Sequence, residues 1–290
     1  MWNRFLKLQR EGVVNGATIQ VNYKKLGYDA VETLLLDIEP SRIEHLSRYV
    51  KAKVPEAFGP FLTASKYNVR IVVPLKSMSS FAQVKEDLTR KPGVSEVASS
   101  IWTGVWFTPE NLSLIPVKPY TAENVNNDPF DADKIDLRLI DELAKNSRIS
   151  FRALAGLLGV SIDTVARRYR KLRKEGVIAS RIQIDPNKLG YSALANFYMK
   201  ITPHYEIDSI INEILHYPDV FYAMRFRGDF SVGVMLIVKK VQDILDMGNR
   251  IIQIPGVKRT ETVLSSVSEK WPLPRTYSST LGRNDLFLPV

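Results

Sequence analysis

The sequence predicts an α+β fold in which a winged-type helix-turn-helix is combined with two ferredoxin-like (β-α-β-β-α-β) domains. Two observations lead to this prediction. The chain of 290 residues contains an internal repeat, since Gly27 and Gly93 recur as Gly190 and Gly256 at the same interval along the chain. Between the two copies lies a segment with three consecutive helix signals separated by short turns. The repeat predicts the paired domains, and the helix signals predict the helix-turn-helix.

A further pair of matching blocks marks the start of each copy. Residues 7–14 (KLQREGVV) match residues 171–178 (KLRKEGVI). The interval between these blocks is longer by a single position than the interval between the glycines, so the first copy has an extra residue between Gly12 and Gly27. Several blocks that match in the same order indicate that the two copies share one fold.

Each copy has the same order of predicted elements. Ile207, Ile210 and Ile214 recur at helical spacing, Gly228-Asp229 is typical of a turn between two strands, and Pro255 ends the next helix. In the first copy we predict strand 30–38, helix 41–53, strands 57–64 and 67–75, helix 79–90 and strand 94–106. In the second copy we predict strand 192–202, helix 206–216, strands 220–227 and 231–239, helix 241–253 and strand 257–268.

The domain boundaries follow from this pattern and from a polar, proline-containing linker that has neither helical nor strand periodicity. We predict a remnant of a recognition helix at 1–14, a first β-α-β-β-α-β domain at 15–117, the linker at 118–132, the helix-turn-helix at 133–180, a second β-α-β-β-α-β domain at 181–274 and a tail at 275–290.

The helix-turn-helix is predicted from its capping residues. A helix over 133–145 is followed by Ser150, which can cap a helix over 151–158. After a glycine turn, Ser161 can cap a third helix over 162–175. A helix, a short glycine-bearing turn and a second helix are typical of domains that read the major groove of DNA.

The third helix has one apolar stripe, formed by Val165, Tyr169 and Leu172, and is otherwise strongly basic. Arginines on such a face can bind phosphates or bond guanine edges, and the N-terminal end of the helix approaches the bases. We therefore predict double-stranded DNA as the partner, which agrees with the formal net charge of +9. The predicted DNA-binding residues are Ser150, Ser161, Asp163, Thr164, Arg167, Arg168, Arg170, Lys171 and Arg173.

Composition argues against several other classes of protein. The chain has no cysteine, which excludes disulfides and thiolate metal sites and fits a cytoplasmic location. His45, His204 and His216 show no metal-ligand spacing, and no apolar run is long enough to span a membrane. We predict no catalytic residues, no metal and no cofactor.

The combined pattern resembles the Lrp/AsnC (feast/famine) family of transcription regulators. The resemblance is carried by residues 136–140 (DLRLI), Gly159-Val160-Ser161, Arg168, Leu172 and residues 175–178 (EGVI). It implies that the β-α-β-β-α-β units are effector and oligomerisation domains and that the protein forms a homodimer or a higher homo-oligomer. It also implies that a small molecule, often an amino acid, binds near a Gly-Asp-aromatic-Asp turn.

In this chain the corresponding turn is Gly228-Asp229-Phe230-Ser231, with a hydroxyl in place of the final carboxylate. The equivalent residues of the first copy, 65–68 (SKYN), lack both the glycine and the aspartate. A plain hairpin turn explains Gly228 and Asp229 equally well.

The two copies can form within one chain the pair of effector domains that the resemblance implies for a dimer. We expect residues 1–14 to be structural rather than DNA-reading, because the two preceding helices are missing. Two chains would then be needed to read a two-fold-symmetric site. Two alternatives stay open: an enzyme similar to siroheme decarboxylases, which act on a porphyrin through histidine and arginine, and an interaction module that does not bind DNA.

Overall fold

The chain folds into two compact units, which we call the helical unit and the sheet unit. The computed structural model describes residues 2–28, 30–54, 56–107, 129–217 and 220–273. The described residues of the helical unit are 2–27, 129–190 and 268–273, and those of the sheet unit fall within 28–107 and 191–267. The predicted tail 275–290 and all but the last residues of the predicted linker 118–132 lie outside the described residues.

The helices and strands alternate as the sequence predicts. In chain order they are α1 (Trp2–Arg10), β1 (Val14–Val21), β2 (Ala30–Ile38), α2 (Ile43–Lys53), β3 (Phe58–Leu62), β4 (Val69–Leu75), α3 (Met78–Thr89), β5 (Val94–Phe107), α4 (Lys134–Lys145), α5 (Phe151–Leu158), α6 (Ile162–Lys174), β6 (Ile178–Ile184), β7 (Ala193–Ile201), α7 (Ile207–Leu215), β8 (Val220–Gly228), β9 (Val232–Val238), α8 (Val241–Gln253) and β10 (Val257–Ser266).

The bounds differ from the predicted ones mainly in the first copy. The predicted helix 41–53 begins with a 3₁₀ turn, so α2 starts only at Ile43. The predicted strand 57–64 shortens to β3, whose pairing with β4 shifts register between Phe58 and Phe61. Gly59 (φ +104°) and Pro60 lie within this shift, and the proline has no N–H to donate to a strand ladder. No helix in the described residues is long and apolar enough to cross a membrane.

The helical unit joins the helix-turn-helix to the start of the chain through a two-stranded sheet of β1 and β6. Ala17 pairs with Ile182 and Ile19 pairs with Ser180 in antiparallel register. The repeat interval that relates Gly27 to Gly190 also relates Ala17 to Ser180 and Ile19 to Ile182, so it exchanges one pair for the other. The two copies are therefore related by a local two-fold in this sheet. This pairing also moves residues 15–27 and 181–190 into the helical unit, whereas the predicted boundaries assigned them to the β-α-β-β-α-β domains.

The extra residue of the first copy appears in this sheet as a β-bulge. Val14 pairs with Ile184 and Gly16 pairs with Gln183, which leaves Asn15 unpaired in the ladder. A bulge accommodates one additional residue without changing the register that follows it. The difference in length between the copies is therefore absorbed locally.

The sheet unit contains one eight-stranded sheet in the order β10-β7-β9-β8-β5-β2-β4-β3. The two copies meet where β5 pairs with β8, for example at Ile101 and Arg227. At the opposite ends of the sheet, β10 meets the segment after β3 through a bridge between Leu264 and Ala64. The same repeat interval converts the Ile101–Arg227 pair into this bridge. The two copies are thus joined by two equivalent contacts, a long one in the middle of the sheet and a short one between its two edges.

Alternating residues of each strand face different cores. Leu34 and Leu36 of β2 pack with Leu46 of α2 and other residues of the first copy. Leu35 belongs instead to a cluster that contains Tyr198, its counterpart in the second copy. The helices cover the outer faces, and the inner cluster joins the two copies.

Candidate nucleic-acid interface

The three helices α4, α5 and α6 begin at side chains that satisfy free backbone N–H groups. The carboxylate of Asp133 accepts hydrogen bonds from the backbone N–H of Ile135 and Asp136, at 2.8 and 2.9 Å. Ser150 caps α5 and Ser161 caps α6, each accepting from the N–H three residues later. Ser150 and Ser161 are the capping residues that the sequence predicts, so the positions of α5 and α6 are fixed locally.

The turn between α5 and α6 depends on Gly159. Its φ of +70° is left-handed, which a residue with a side chain adopts only at a cost, and its N–H caps the end of α5. Three residues later α6 begins, so the glycine sets the angle at which α6 leaves α5.

An apolar core holds the three helices together. It includes Leu139 and Leu143 of α4, Leu154 of α5, and Val165 and Leu172 of α6, each no more than 1% exposed. Burying one leucine side chain contributes about 1.5–3 kcal/mol relative to exposure. Such a core makes the domain rigid enough to present α6 in one orientation.

The face of α6 opposite this core carries a row of exposed charged residues. Asp163, Arg167, Arg170 and Lys174 follow each other at spacings of four, three and four, which places them on one line along the helix. All four are exposed, and none of them forms an ion pair within the described residues. We call these residues the α6 row; three of its four members are cationic.

Arg168 does not belong to this open face, and its predicted contact with DNA stays a prediction. Its guanidinium donates to Asp133 at 2.7 Å and to Asp136 at 2.8 Å, and its side chain is 21% exposed. Asp136 raises the pKa of Arg168, and the backbone N–H of Asp136 together with Arg168 lowers the pKa of Asp133. Arg168 therefore binds α6 to the start of α4.

The remaining basic residues of α6 extend the α6 row on either side. Lys171 lies over the ring of Phe130 at 4.8 Å, and the Arg173 guanidinium lies 5.9 Å from the ring of Tyr169. Both residues are exposed, and each charged group lies within cation–π distance of its ring. Tyr169 packs against Phe151 with ring centroids 5.3 Å apart, as expected for a core rather than a base-stacking residue.

At the start of α6 the polar residues are both capping and accessible. Ser161 and Thr164 share a hydroxyl contact of 2.9 Å, and Ser161 is exposed. Ile162, which is not among the predicted DNA-binding residues, is 45% exposed beside them. An apolar group at this end of a recognition helix can contact the methyl group of thymine.

Two exposed arginines near α5 are not among the predicted DNA-binding residues. Arg148 and Arg152 are exposed and lie on either side of Ser150, the α5 cap. The Arg148 guanidinium lies 5.2 Å from the ring of Phe5 in α1. Basic residues on both sides of a predicted helix cap indicate a phosphate site in the sequence, because helix N-termini commonly bind phosphate.

The predicted effector turn is occupied by contacts between the two copies. A Cβ at Gly228 would lie 2.3 Å from the carbonyl oxygen of Ser99, so the backbones of β8 and β5 touch there. The carboxylate of Asp229 accepts from the N–H of Ser99 at 2.7 Å and from Lys85 at 3.1 Å. Both residues therefore stabilise the junction of the two copies.

The other two residues of the turn also have internal partners. Phe230 is 4% exposed in the inner cluster, and its N–H donates to the hydroxyl of Ser100. The hydroxyl of Ser231 accepts from the N–H of Ile201 at 3.2 Å. Binding of an effector by Gly228, Asp229, Phe230 and Ser231 stays a prediction, and a ligand there would compete with these hydrogen bonds.

The three histidines lie on the surface. His45, His204 and His216 are all exposed, and the ring of His216 is 2.6 Å from the carbonyl oxygen of Asn212 at the end of α7. Among the described residues, no group of three or more His, Asp or Glu side chains could hold a metal ion.

Capped helices, a left-handed glycine turn and a strand that follows the last helix and pairs with β1 define this unit as a winged helix-turn-helix domain. A family model described as "Winged helix-turn-helix DNA-binding" matches residues 133–179. The match begins at the cap of α4 and ends within β6, so it spans the domain that carries the α6 row.

Two relatives extend the match beyond this domain. The HTH-type transcriptional regulator FL11 of Pyrococcus horikoshii is 30% identical over 145 residues, which are 49% of this chain and 95% of that protein. An uncharacterized HTH-type transcriptional regulator of Pyrococcus abyssi is 33% identical over 144 residues, 49% of this chain and 97% of its own length. The chain belongs to the Lrp/AsnC family of helix-turn-helix transcriptional regulators. Each of these relatives, over nearly its full length, matches about half of this chain.

A solved structure is similar over almost the whole chain. The siroheme decarboxylase NirDL, in complex with an iron-uroporphyrin III analogue, aligns with a TM-score of 0.56 and covers 98% of this chain and 85% of its own. The sequences are 13% identical, so the similarity concerns the fold alone.

Proposed function

We propose that this protein binds specific sequences of double-stranded DNA and regulates transcription. The observation that carries the proposal is the α6 row, an exposed and mainly cationic line on the helix that follows the turn of a helix-turn-helix. This helix begins with accessible polar residues at its N-terminus, where recognition helices approach base edges.

In this proposal some residues of α6 contact bases and others contact phosphates. Arg167 and Arg170 are long enough to bond guanine edges in the major groove, where bidentate contacts discriminate between bases. Lys171, Arg173 and Lys174 bind phosphates, which supply affinity and make it dependent on salt. Arg168 acts indirectly, by holding α6 against α4.

The test is the double substitution Arg167→Ala and Arg170→Ala in the full chain. Each lost base contact is expected to cost about 1–3 kcal/mol of binding to a selected DNA site. Arg48→Ala with Lys51→Ala is the charge-matched control, because both residues are exposed on α2. Fluorescence anisotropy gives the affinities, and unchanged thermal unfolding shows that the variants are folded. Equal affinities for wild type, variant and control would contradict the proposal.

We further propose that the protein acts in the cytoplasm as a homodimer or a higher homo-oligomer. The family resemblance supports self-association, and a second chain would bring a second α6 to the DNA. Sedimentation of the full chain, free and bound to DNA, tests this. A strict monomer in both conditions would contradict it.

A small-molecule effector, such as an amino acid, is the finer part of the proposal. Because Gly228 and Asp229 bind β5, a ligand beside them would act on the junction of the two copies. An amino-acid mixture is expected to change the affinity for DNA, and Asp229→Ala is expected to remove that change. An affinity that does not respond to the mixture would limit the proposal to DNA binding.

The fold shared with a siroheme decarboxylase makes catalysis on a tetrapyrrole the second candidate. We propose that the chain is not an enzyme, because its histidines are exposed and distant relatives of 13% identity share only the fold. Titration with an iron-uroporphyrin is expected to leave the absorbance spectrum equal to that of the free pigment. A shifted spectrum would favour the enzyme.

A further inference from the structure

The helix α1 occupies the position that the repeat makes equivalent to α6. Each helix is followed, two residues after its end, by a glycine in the left-handed conformation, Gly12 with φ +74° and Gly176 with φ +69°, and the chain then enters a strand of the β1–β6 sheet. Because a local two-fold relates these strands, it also relates the helices that lead into them. The α1 position is therefore that of a second recognition helix.

The structure fixes this segment to the helix-turn-helix. The hydroxyl of Thr18 in β1 donates to the carbonyl oxygen of Ala144 at 2.7 Å, and the N–H of Ser147 donates to the carbonyl oxygen of Ala17 at 3.0 Å. Thr18 is fully buried. The sheet thus holds α1 at a defined place beside the loop between α4 and α5.

Three cations of α1 are exposed. Arg4, Lys7 and Arg10 follow at spacings of three and are all exposed to solvent. Lys7 has a partner in Glu11 at 3.8 Å, but both side chains are more than half exposed, so solvent screens this pair. The three cations face the solvent as phosphate-binding residues must.

These cations continue the basic surface of the helix-turn-helix. Phe5, which lies between Arg4 and Lys7 in α1, contacts the guanidinium of Arg148. Arg148 in turn lies two residues before Ser150, the α5 cap. The basic surface therefore runs from α5 onto α1.

The residues that would read bases are not repeated in α1. In the alignment that matches residues 7–14 with 171–178, Asn3 and Leu6 correspond to Arg167 and Arg170 of the α6 row. The helix thus keeps cations that suit phosphates and lacks the arginines that suit guanine edges.

We propose that α1 binds the phosphate backbone of DNA about one helical turn from the half-site read by α6, without reading its sequence. This inference rests on the proposed function. One chain would then hold the DNA asymmetrically, by bases at one half-site and by phosphates at the other. A second chain would read a half-site outside this footprint, because α1 occupies the position of a second recognition helix.

The test uses the full chain and the DNA site selected for it. Arg4→Gln, Lys7→Gln and Arg10→Gln together remove the cations while keeping residues that favour helix. Hydroxyl-radical footprinting is expected to show loss of protection on one flank only, with the α6 half-site still protected. The slope of log affinity against log salt is expected to fall in magnitude by about 0.9 for each lost phosphate contact. The control replaces Arg48, Lys51 and Lys53 of α2 by Gln. It is expected to change neither the footprint nor the salt dependence of the affinity.

A second measurement does not depend on the variant. Duplexes that end just beyond the α6 half-site on the α1 side are expected to bind wild type more weakly than duplexes extended by one turn. Equal binding to both duplexes, or an unchanged footprint and slope for the triple variant, overturns the inference. If wild type selects no DNA at all, the proposed function itself fails; if only Arg167→Ala with Arg170→Ala weakens binding, the proposed function stands and the role of α1 falls.

Discussion

At the scale of single residues, Arg167 and Arg168 are neighbours in the chain with different surroundings. Arg167 is exposed on the open face of α6, whereas Arg168 binds two aspartates at the start of α4. The sequence predicts that both arginines contact DNA, because both lie outside the apolar stripe of α6. It does not predict the ion pair, because Asp133 and Asp136 lie on another helix, far from Arg168 along the chain.

Arg168→Ala is expected to destabilise the helix-turn-helix. It leaves the nearly buried carboxylate of Asp136 without its cation, which costs about 1–3 kcal/mol. Urea unfolding measures this loss, and Arg167→Ala is the control that keeps wild-type stability. Equal stabilities of the two variants would show that the ion pair contributes nothing.

Glu32 of β2 makes stability depend on pH. Burial raises the pKa of Glu32 to about 8 from an ordinary 4.5, against the opposing effects of the Ser99 hydroxyl and the Lys85 charge. Lys85 also forms an ion pair with Asp229 at 3.1 Å. Because the folded pKa is raised, the contribution of Glu32 to stability is fully present below about 4.5 and is lost as pH rises to about 8.

Glu32→Gln is therefore expected to flatten this pH dependence. At pH 8 the variant should be more stable than wild type by a few kcal/mol, since each pKa unit corresponds to about 1.4 kcal/mol. At pH 4 the two should be similar. Chemical unfolding at both pH values measures the difference, and parallel pH profiles would contradict the assignment.

At the scale of elements, the sequence predicts the local structure well and the long-range pairing less well. The caps Ser150 and Ser161 place α5 and α6 correctly, because capping depends on residues three positions away. The pairing of β1 with β6 joins segments near the start and in the second half of the chain, and no local signal encodes it. That pairing explains why residues 15–27 lie in the helical unit.

Gly228→Ala is expected to weaken the junction of β8 with β5. The new Cβ would meet the backbone of Ser99 at 2.3 Å, and φ is +138°, so the strands must separate. Gly27→Ala is the matched control, because Gly27 also has a positive φ but nothing lies within 4 Å of its Cβ. The control should cost about 1 kcal/mol and Gly228→Ala clearly more. Similar melting temperatures for the two variants would contradict this account of the junction.

At the scale of the whole molecule, the chain contains both halves of a pseudo-symmetric pair. Each relative matches about half of the chain, and the β5–β8 junction of the two copies has a repeat counterpart in the Ala64–Leu264 bridge. The sequence predicts this duplication directly from its repeated blocks. It does not predict that the two copies share one sheet, since strand edges on either copy could have paired otherwise.

A chain beginning at residue 129 is expected to form a homodimer. Without the first copy, β6 and β8 present unpaired edges, and a second copy can satisfy them with its own β6 and β10. Sedimentation velocity distinguishes the states, with the full chain at the same molar concentration as reference. A folded monomer of this fragment would show that the copies are not interchangeable partners.

Recognition of specific DNA sequences by this protein is best measured by selection from a randomised duplex library at physiological salt. The full chain is expected to enrich duplexes with a shared motif. The variant Arg167→Ala with Arg170→Ala is expected to lose this enrichment while retaining weak, salt-sensitive binding to any duplex. A wild-type chain that binds all duplexes equally, or none, would show that the protein does not recognise specific sequences.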